Sequence, residues 1–126
     1  MDLPLIDRLV AFRRELHQHP EITFQEFETH QRIKNILLSF GVEQKDIREV
    51  AREGQPPTGL IVDLHGKAEA TGKDFCVAFR ADMDAHSMVE INEDLPYKSK
   101  NIGAAHMCGH DGHMACLLGF VPLYLK

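Results

Sequence analysis

Apolar residues recur at helical spacing near the start of the chain. Within residues 5–16 they follow a period of about 3.6, which predicts a first helix. The His19-Pro20 pair ends this segment, because the residue before a proline is disfavoured in helical geometry. A second stripe across residues 24–40 predicts another helix, and Gly41 stands where a left-handed C-terminal cap is expected.

Short β-rich runs occupy the middle of the chain. The segment "DIREV" fits a short strand, and "GLIVDLHG" and "DFCVAFRADMDA" predict two more, with "KAEATGK" as the turn between them. The run from Phe75 to Phe79 is almost continuously apolar, as expected for a strand that is covered on both faces. A long polar connection follows, and "MACLLGFVPLYLK" predicts a final helix up to Pro122. This order of elements predicts a layered α/β fold.

Composition narrows the class of protein. The 126 residues, 44% of them hydrophobic and 26% charged, are typical of one globular domain with its own core. The net charge is -5 and no face carries a stripe of basic residues, so we expect neither a nucleic-acid nor a membrane partner. The opening residues contain no apolar run of signal-peptide length, which favours a cytoplasmic protein.

The three cysteines have different neighbours. An odd number of cysteines without an export signal favours reduced thiols over a disulfide framework. Cys76 in "FCVAF" and Cys116 in "ACLLGF" have apolar neighbours, so we expect both to be small core residues. Cys108 lies instead among histidines and glycines.

The segment "AHMCGHDGHMA" is the richest candidate for chemistry. Cys108 and His110 are two positions apart, so in an extended segment both side chains could reach one cation. Thiolate and imidazole suit zinc and related metals, and His106 and His113 add further nitrogen donors. Two alternatives stay open: a polar loop with solvated imidazoles, and a Cys108 thiolate acting as a nucleophile beside a histidine.

Two further polar clusters accompany this segment. In "RADMDA", Asp82 and Asp84 follow the apolar run and are candidates to orient a histidine ligand or to touch a metal. The alternative is a surface pair between Arg80 and an acid. In "ELHQHPE", His17 and His19 are candidate ligands, although capping of the helix C-terminus is the favoured interpretation.

The segments "RRELHQHPEITFQEFET", "VAFRADMDA", "LPYKSKN" and "HMCGHDGHMACLLG" resemble, in order and spacing, the amidohydrolase branch of the metal-dependent aminoacylase and carboxypeptidase family. That branch includes hippurate hydrolases, N-acyl-amino-acid amidohydrolases and auxin-conjugate hydrolases. The resemblance implies a zinc-peptidase-like α/β catalytic domain with a smaller inserted domain. It implies Cys108 and His110 as two ligands of a two-metal centre, and Asp82 as the strand-end carboxylate that supports catalysis there.

One departure from the family pattern limits what this chain is expected to do. The family's general base is a glutamate downstream of the motif, whereas the thirteen residues after His113 contain no Glu, Asp or His. We therefore expect residues 1–126 to be the N-terminal portion of the catalytic domain, truncated or a fragment, without the inserted domain and inactive on its own. The alternative hypothesis is a non-catalytic metal-binding or interaction remnant. A phosphohydrolase built on His110-Asp111 is disfavoured because glycines flank the pair.

The resemblance also implies cofactors and partners. The complete site would hold two divalent cations, zinc or manganese, and would hydrolyse the amide bond of a small N-acyl amino acid or dipeptide-like substrate. A homo-oligomer is compatible with the family, in which the inserted domain often forms a dimer interface.

Overall fold

A computed structural model describes residues 4–67 and 76–126 of the chain. The expectation of an α/β fold is confirmed, with two helices followed by a β-hairpin and a third helix. The elements are helices α1 (Leu5–Gln18), α2 (Phe27–Ser39) and α3 (His110–Tyr124), strands β1 (Ile47–Ala51) and β2 (Pro57–Val62), and a 3-10 turn at Gln44–Asp46.

The first two helices agree with the sequence periodicity. Helix α2 begins at Phe27 rather than Phe24, because Phe24 has a φ of 65° and a left-handed residue cannot begin an α-helix. Gly41, just beyond the end of α2, has a φ of 96°, which confirms the expected left-handed position.

Strands β1 and β2 form a two-stranded antiparallel sheet. Ile47 lies opposite Val62 and Val50 lies opposite Gly59, with an irregularity between Val50 and Ala51. The strand expected in "DIREV" is confirmed, and the strand expected in "GLIVDLHG" begins two residues earlier, at Pro57.

The third predicted strand is wrong in its described part. Residues 76–85 form no ladder and make only an isolated bridge between Ala85 and Ile22, while Phe75 lies outside the described residues. A strand needs a partner for its backbone N–H and C=O groups, and neither β1 nor β2 pairs with this segment. The run predicted to be covered is therefore open, with Val77 54% and Phe79 61% exposed.

Cys76 and Cys116 are exposed, so the prediction that they are core residues is wrong. Cys76 lies in the unpaired apolar run, and Cys116 lies on the outer side of α3. In both cases the apolar neighbours in sequence do not cover the thiol in space.

One hydrophobic core joins the helices and the hairpin. Its buried members come from α1, α2, β1, α3 and the turn after α2: Phe12, Leu16, Ile33, Leu37, Val42, Ile47, Met114, Leu118 and Val121. Helix α1 packs against α3 and helix α2 packs against β2. This packing fixes the first turn of α3, which carries the histidine-rich segment, against the last turn of α1.

Helix α3 differs from its prediction at both ends. It begins at His110 and continues through Pro122 to Tyr124, so the expectation that Pro122 interrupts it is wrong. A proline in the last turn removes only one backbone donor, and the helix has little length left to lose. In the part of the chain that the structure describes, no helix combines the length and apolarity needed to cross a bilayer.

Candidate metal centre

The turn that joins Cys108 to His110 depends on a glycine. Gly109 precedes the first residue of α3 and has a φ of 95°, a left-handed conformation that only glycine adopts without strain. Cys108 is exposed just before the helix, and His110 is its first residue. Cys108 and His110 therefore flank Gly109 at the N-terminal end of α3.

Backbone contacts bring the segment "RADMDA" to this turn. Ala85 donates its N–H to the carbonyl of Glu21, at 2.8 Å, and His86 and Ala105 exchange two backbone hydrogen bonds of 3.0 Å each. The aspartates after the apolar run and the histidine-rich segment are thus neighbours in space. The sequence predicted this proximity from strand ends, but isolated bridges achieve it instead.

His110 is held by Asp84. Its Nδ1 lies 2.9 Å from the backbone oxygen and 3.0 Å from the Oδ1 of Asp84. Both oxygens only accept hydrogen bonds, so Nδ1 carries the proton in the neutral imidazole. The lone pair of that tautomer is on Nε2, which is the arrangement of a metal-binding histidine supported by a carboxylate.

Asp84 is in turn held as a carboxylate. Thr23 Oγ1 donates a hydrogen bond of 2.6 Å to Asp84 Oδ2. This bond is the main reason that the pKa of Asp84 is lowered, and the contact with His110 adds to it while partial burial opposes it. The sequence proposed Asp82 and Asp84 together as candidates. The contact with His110 distinguishes Asp84 from Asp82.

Asp82 has different surroundings. Its side chain is 43% exposed and pairs with Arg80, whose side chain is 84% exposed. This is the surface pair that the sequence left open as an alternative. Asp82 still borders the same cleft as Asp84 and His110, so its supporting role stays a prediction.

The cleft beside His110 has a volume of about 640 Å³. Besides Asp82 and Asp84 it is lined by Glu26, whose side chain is buried and whose Oε2 has no hydrogen-bond partner among the described residues. Burial raises the pKa of Glu26, and the charges of Asp84 and Glu21 raise it further. The sequence gave no signal for Glu26, which lies just before α2 and is surrounded by other glutamates. Three carboxyl groups therefore line the cleft, together with Arg52 and Arg80.

The histidines of the motif fall into three environments. His106 is buried, its ring nitrogens have no partner among the described residues, and burial lowers its pKa to about 4. His113 is exposed, with its ring 5.8 Å from that of His110. Only His113 has the solvated imidazole that the polar-loop alternative required.

His17 is also buried, and the interpretation of it as a helix cap is wrong. Its ring contacts Asp111 and Glu90 rather than the last carbonyls of α1. The C-terminal residue of α1 is capped by His19 through its backbone N–H, which donates to the carbonyls of Glu15 and Leu16. Partners 94 and 73 positions away in the sequence could not be found from the local pattern.

Cys108 and His110 are suitable ligands for a divalent metal, but they are not a complete ligand set. A thiol and an imidazole with a free Nε2 are ligand types that zinc uses. Within residues 4–67 and 76–126, however, no three His, Cys, Asp or Glu side chains converge closely enough to hold a metal ion. The described chain thus supplies two ligand-type side chains and the carboxylate that orients one of them.

Comparison with known proteins finds a family match that spans the candidate site. Residues 78–123 match the model of peptidase family M20/M25/M40, and this span contains Asp82, Asp84, Cys108 and His110. The chain is 41% identical over 119 residues to an N-acetyldiaminopimelate deacetylase from Bacillus velezensis, and 42% identical over 112 residues to an N-acetyl-L-cysteine deacetylase from Bacillus subtilis. These matches cover 94% and 89% of this chain but 29% and 24% of the relatives.

The fold agrees as well. A crystal structure of a Bacillus subtilis dinuclear metal-binding peptidase of the M20 family superposes with a TM-score of 0.79 at 38% identity. The superposition covers 94% of this chain and 30% of that protein. The chain therefore belongs to peptidase family M20/M25/M40, and it spans between 24% and 30% of the length of the three proteins compared.

Proposed function

We propose that this chain carries part of the divalent-metal site of an amidohydrolase, with Cys108 and His110 as ligands. The observation that supports it best is the pair of contacts from His110 Nδ1 to Asp84, which leaves Nε2 free to bind a cation. In this proposal residues 1–126 are the N-terminal portion of a catalytic domain. The inserted domain and the rest of the catalytic domain lie outside them.

Each side chain has a defined task in this proposal. The Cys108 thiolate and His110 Nε2 bind the metal, and Asp84 holds the imidazole in the correct tautomer. The family resemblance implies a supporting role for Asp82, and this role stays a separate prediction. Of the two metals expected, the thiolate favours zinc over manganese, because soft sulfur ligands suit zinc.

The proposed reaction is hydrolysis of the amide bond in small N-acyl amino acids. Two relatives are named as deacetylases of N-acetyldiaminopimelate and of N-acetyl-L-cysteine, which supports this substrate class. A bound divalent metal supplies Lewis acidity that polarises the amide carbonyl and acidifies water. Asp84, whose pKa is lowered mainly by the hydrogen bond from Thr23, supplies a negative charge beside His110. A cytoplasmic location and a homo-oligomer stay predictions.

The ligand assignment is tested by Co²⁺ binding to the purified chain. A thiolate ligand gives Co²⁺ a sulfur-to-metal charge-transfer absorption, so the parent chain should show this band and Cys108→Ser should lack it. Cys116→Ser is the matched control, since Cys116 is also exposed but lies on the outer side of α3. A band that survives Cys108→Ser and disappears in Cys116→Ser would show the assignment to be wrong.

The reaction is tested by segment exchange. Residues 1–126 would replace the matching segment of the Bacillus subtilis N-acetyl-L-cysteine deacetylase, and hydrolysis of N-acetyl-L-cysteine would be measured with added zinc. We expect metal-dependent turnover that Cys108→Ser abolishes. A folded, metal-loaded hybrid without turnover would favour the alternative, a non-catalytic metal-binding or interaction remnant. The exposed Val77 and Phe79 are the observation in favour of that alternative.

A further inference from the structure

His17 lies between two buried carboxylates. Its Nδ1 is 2.8 Å from Asp111 Oδ2, and its Nε2 is 3.2 Å from Glu90 Oε1. The three side chains are 6%, 0% and 2% exposed. Tyr97 packs edge-on against the imidazole at a centroid distance of 5.5 Å, so the ring has little freedom to turn.

Further contacts hold the two carboxyl groups in place. Arg13 Nε donates to Asp111 Oδ2 at 2.7 Å, the same oxygen that His17 Nδ1 contacts. Burial opposes ionisation of Glu90, but hydrogen bonds from the Ser99 amide and from His17 outweigh it and lower the pKa of Glu90. Each ring nitrogen of His17 thus faces a carboxyl group, and the ring bridges Asp111 and Glu90.

The cluster depends on each of its members. Asp111 and Glu90 are both buried, so loss of His17 would leave each carboxyl group with one hydrogen-bond partner fewer.

The cluster joins three separate parts of the fold. His17 belongs to the last turn of α1, Glu90 to the connection before α3, and Asp111 to the first turn of α3. Asp111 directly follows His110 in the chain, so a contact that fixes Asp111 also fixes the backbone of His110. The same connection carries Ser99, which donates its amide N–H to Glu90 Oε2 at 2.7 Å.

We propose that His17 is a positioning residue for the metal site: it anchors the first turn of α3 through Asp111 and thereby sets the place of His110 relative to Asp84 and Cys108. This inference rests on the proposed function. It assigns to the "ELHQHPE" segment a role in geometry rather than in coordination, because both ring nitrogens of His17 are already occupied.

The test uses Co²⁺ bound to the 126-residue chain. His17→Gln replaces the imidazole, whose two nitrogens point to opposite carboxyl groups, by a single amide group that cannot bridge Asp111 and Glu90 in the same way. We expect Co²⁺ affinity to fall by about 10–100-fold, as for other residues that orient metal ligands. We also expect the absorption spectrum at saturating Co²⁺ to change, because ligand geometry sets its bands. His19→Gln, two positions away at the end of α1, should alter neither.

The outcomes separate the two proposals. If the parent chain binds no Co²⁺, the proposed function fails and this inference fails with it. If the parent binds Co²⁺ and folded His17→Gln has the same affinity and spectrum, only the role of His17 is overturned. A loss of thermal stability with an unchanged spectrum also overturns it, since that is the signature of a purely structural residue.

Two further measurements keep the inference testable. The parent should show a slowly exchanging ring N–H proton for His17 by ¹⁵N-resolved NMR, because the ring is buried between two hydrogen-bond acceptors, and its absence would contradict these contacts. If His17→Gln does not fold, Glu90→Ala is measured instead, because it opens only the Nε2 side. An unchanged Co²⁺ affinity and spectrum in Glu90→Ala would overturn the inference.

Discussion

His110 and Asp84 are 26 positions apart in the sequence, yet the imidazole Nδ1 of His110 contacts both the backbone oxygen and the carboxylate of Asp84. The backbone contact fixes the position of the ring, and the carboxylate adds a charge that makes Nε2 a better donor to a metal. The two contacts are separable by mutation, since a side-chain substitution removes only the second.

Asp84→Asn should therefore weaken zinc binding without unfolding the chain. The amide keeps the size of the carboxylate and the backbone oxygen still accepts from Nδ1, but the charge is lost. We expect an affinity lower by about 10-fold or more, measured by competition with a chromogenic zinc chelator.

Asp82→Asn is the matched comparison, because Asp82 borders the same cleft and its charge is paired with Arg80. The family resemblance predicts a loss for Asp82 as well, whereas the geometry predicts that the loss at Asp84 is the larger. A full loss at Asp82 with none at Asp84 would contradict the contact to His110 as the source of support.

The turn between the two proposed ligands gives a second prediction. Gly109→Ala places a Cβ on a residue with a φ of 95°, which costs about 1–2 kcal/mol in a left-handed conformation. Gly112→Ala lies in α3 with no atom within 4 Å of the added Cβ, so it should be neutral or stabilise the helix by up to about 1 kcal/mol. Urea unfolding gives the free energy of unfolding of both variants. Equal values would mean that the backbone at residue 109 shifts to a conformation that alanine adopts without strain.

Elements whose apolar spacing repeats within one segment could be predicted from the sequence, whereas elements that depend on a distant partner could not. Helices α1 and α2 followed from apolar spacing, because their core faces repeat within each segment. The strand expected around Phe79 failed because a strand exists only through a partner, and no periodicity reveals whether that partner is near.

In the candidate site, too, local sequence signals were found and contacts between distant residues were not. Cys108 and His110 were recognised because ligand types two residues apart are a local signal. The contacts of His17 with Asp111 and of His110 with Asp84 join residues that only the folded chain brings together. The sequence accordingly named the proposed ligands and offered Asp84 as a candidate to orient a histidine, but it did not reveal the contacts of His17.

Glu26 gives a prediction about pH. Burial raises its pKa above the ordinary 4.5, so the folded chain binds this proton more tightly than the unfolded chain. Its contribution to stability is complete below pH 4.5 and is lost as the pH rises through the raised pKa of the folded state. Glu26→Gln should remove this loss, so the variant should gain stability over the parent as the pH rises from 4 to 7.

The measurement is the free energy of unfolding from urea titrations at several pH values. Glu28→Gln is the control, since Glu28 lies two positions further on, in the first turn of α2, with its side chain 72% exposed. Other groups also titrate in this range, so the quantity to compare is the difference between variant and parent at each pH. A difference that does not change with pH would contradict the raised pKa.

The isolated chain is expected to have too few metal ligands for a catalytic site. A catalytic zinc site uses three protein ligands and an open position, whereas the described residues bring no three donors together. Zinc or manganese should therefore bind weakly to the purified chain. We expect no hydrolysis of N-acetyl-L-cysteine above background, because no residue after His113 offers a general base.

The same chain should also self-associate. Phe79 is 61% exposed and stacks on Phe120 of α3 at a centroid distance of 5.1 Å, and Val77 beside it is 54% exposed. An apolar surface of this kind, next to a segment without strand partners, favours contact between copies. Phe79→Ser should shift the chain toward monomer in sedimentation velocity, whereas Ile6→Ser, at an equally exposed site on α1, should change the distribution less. A monomeric parent chain that hydrolyses N-acetyl-L-cysteine in a zinc-dependent manner would contradict both expectations and would mean that another residue of this chain acts as the base.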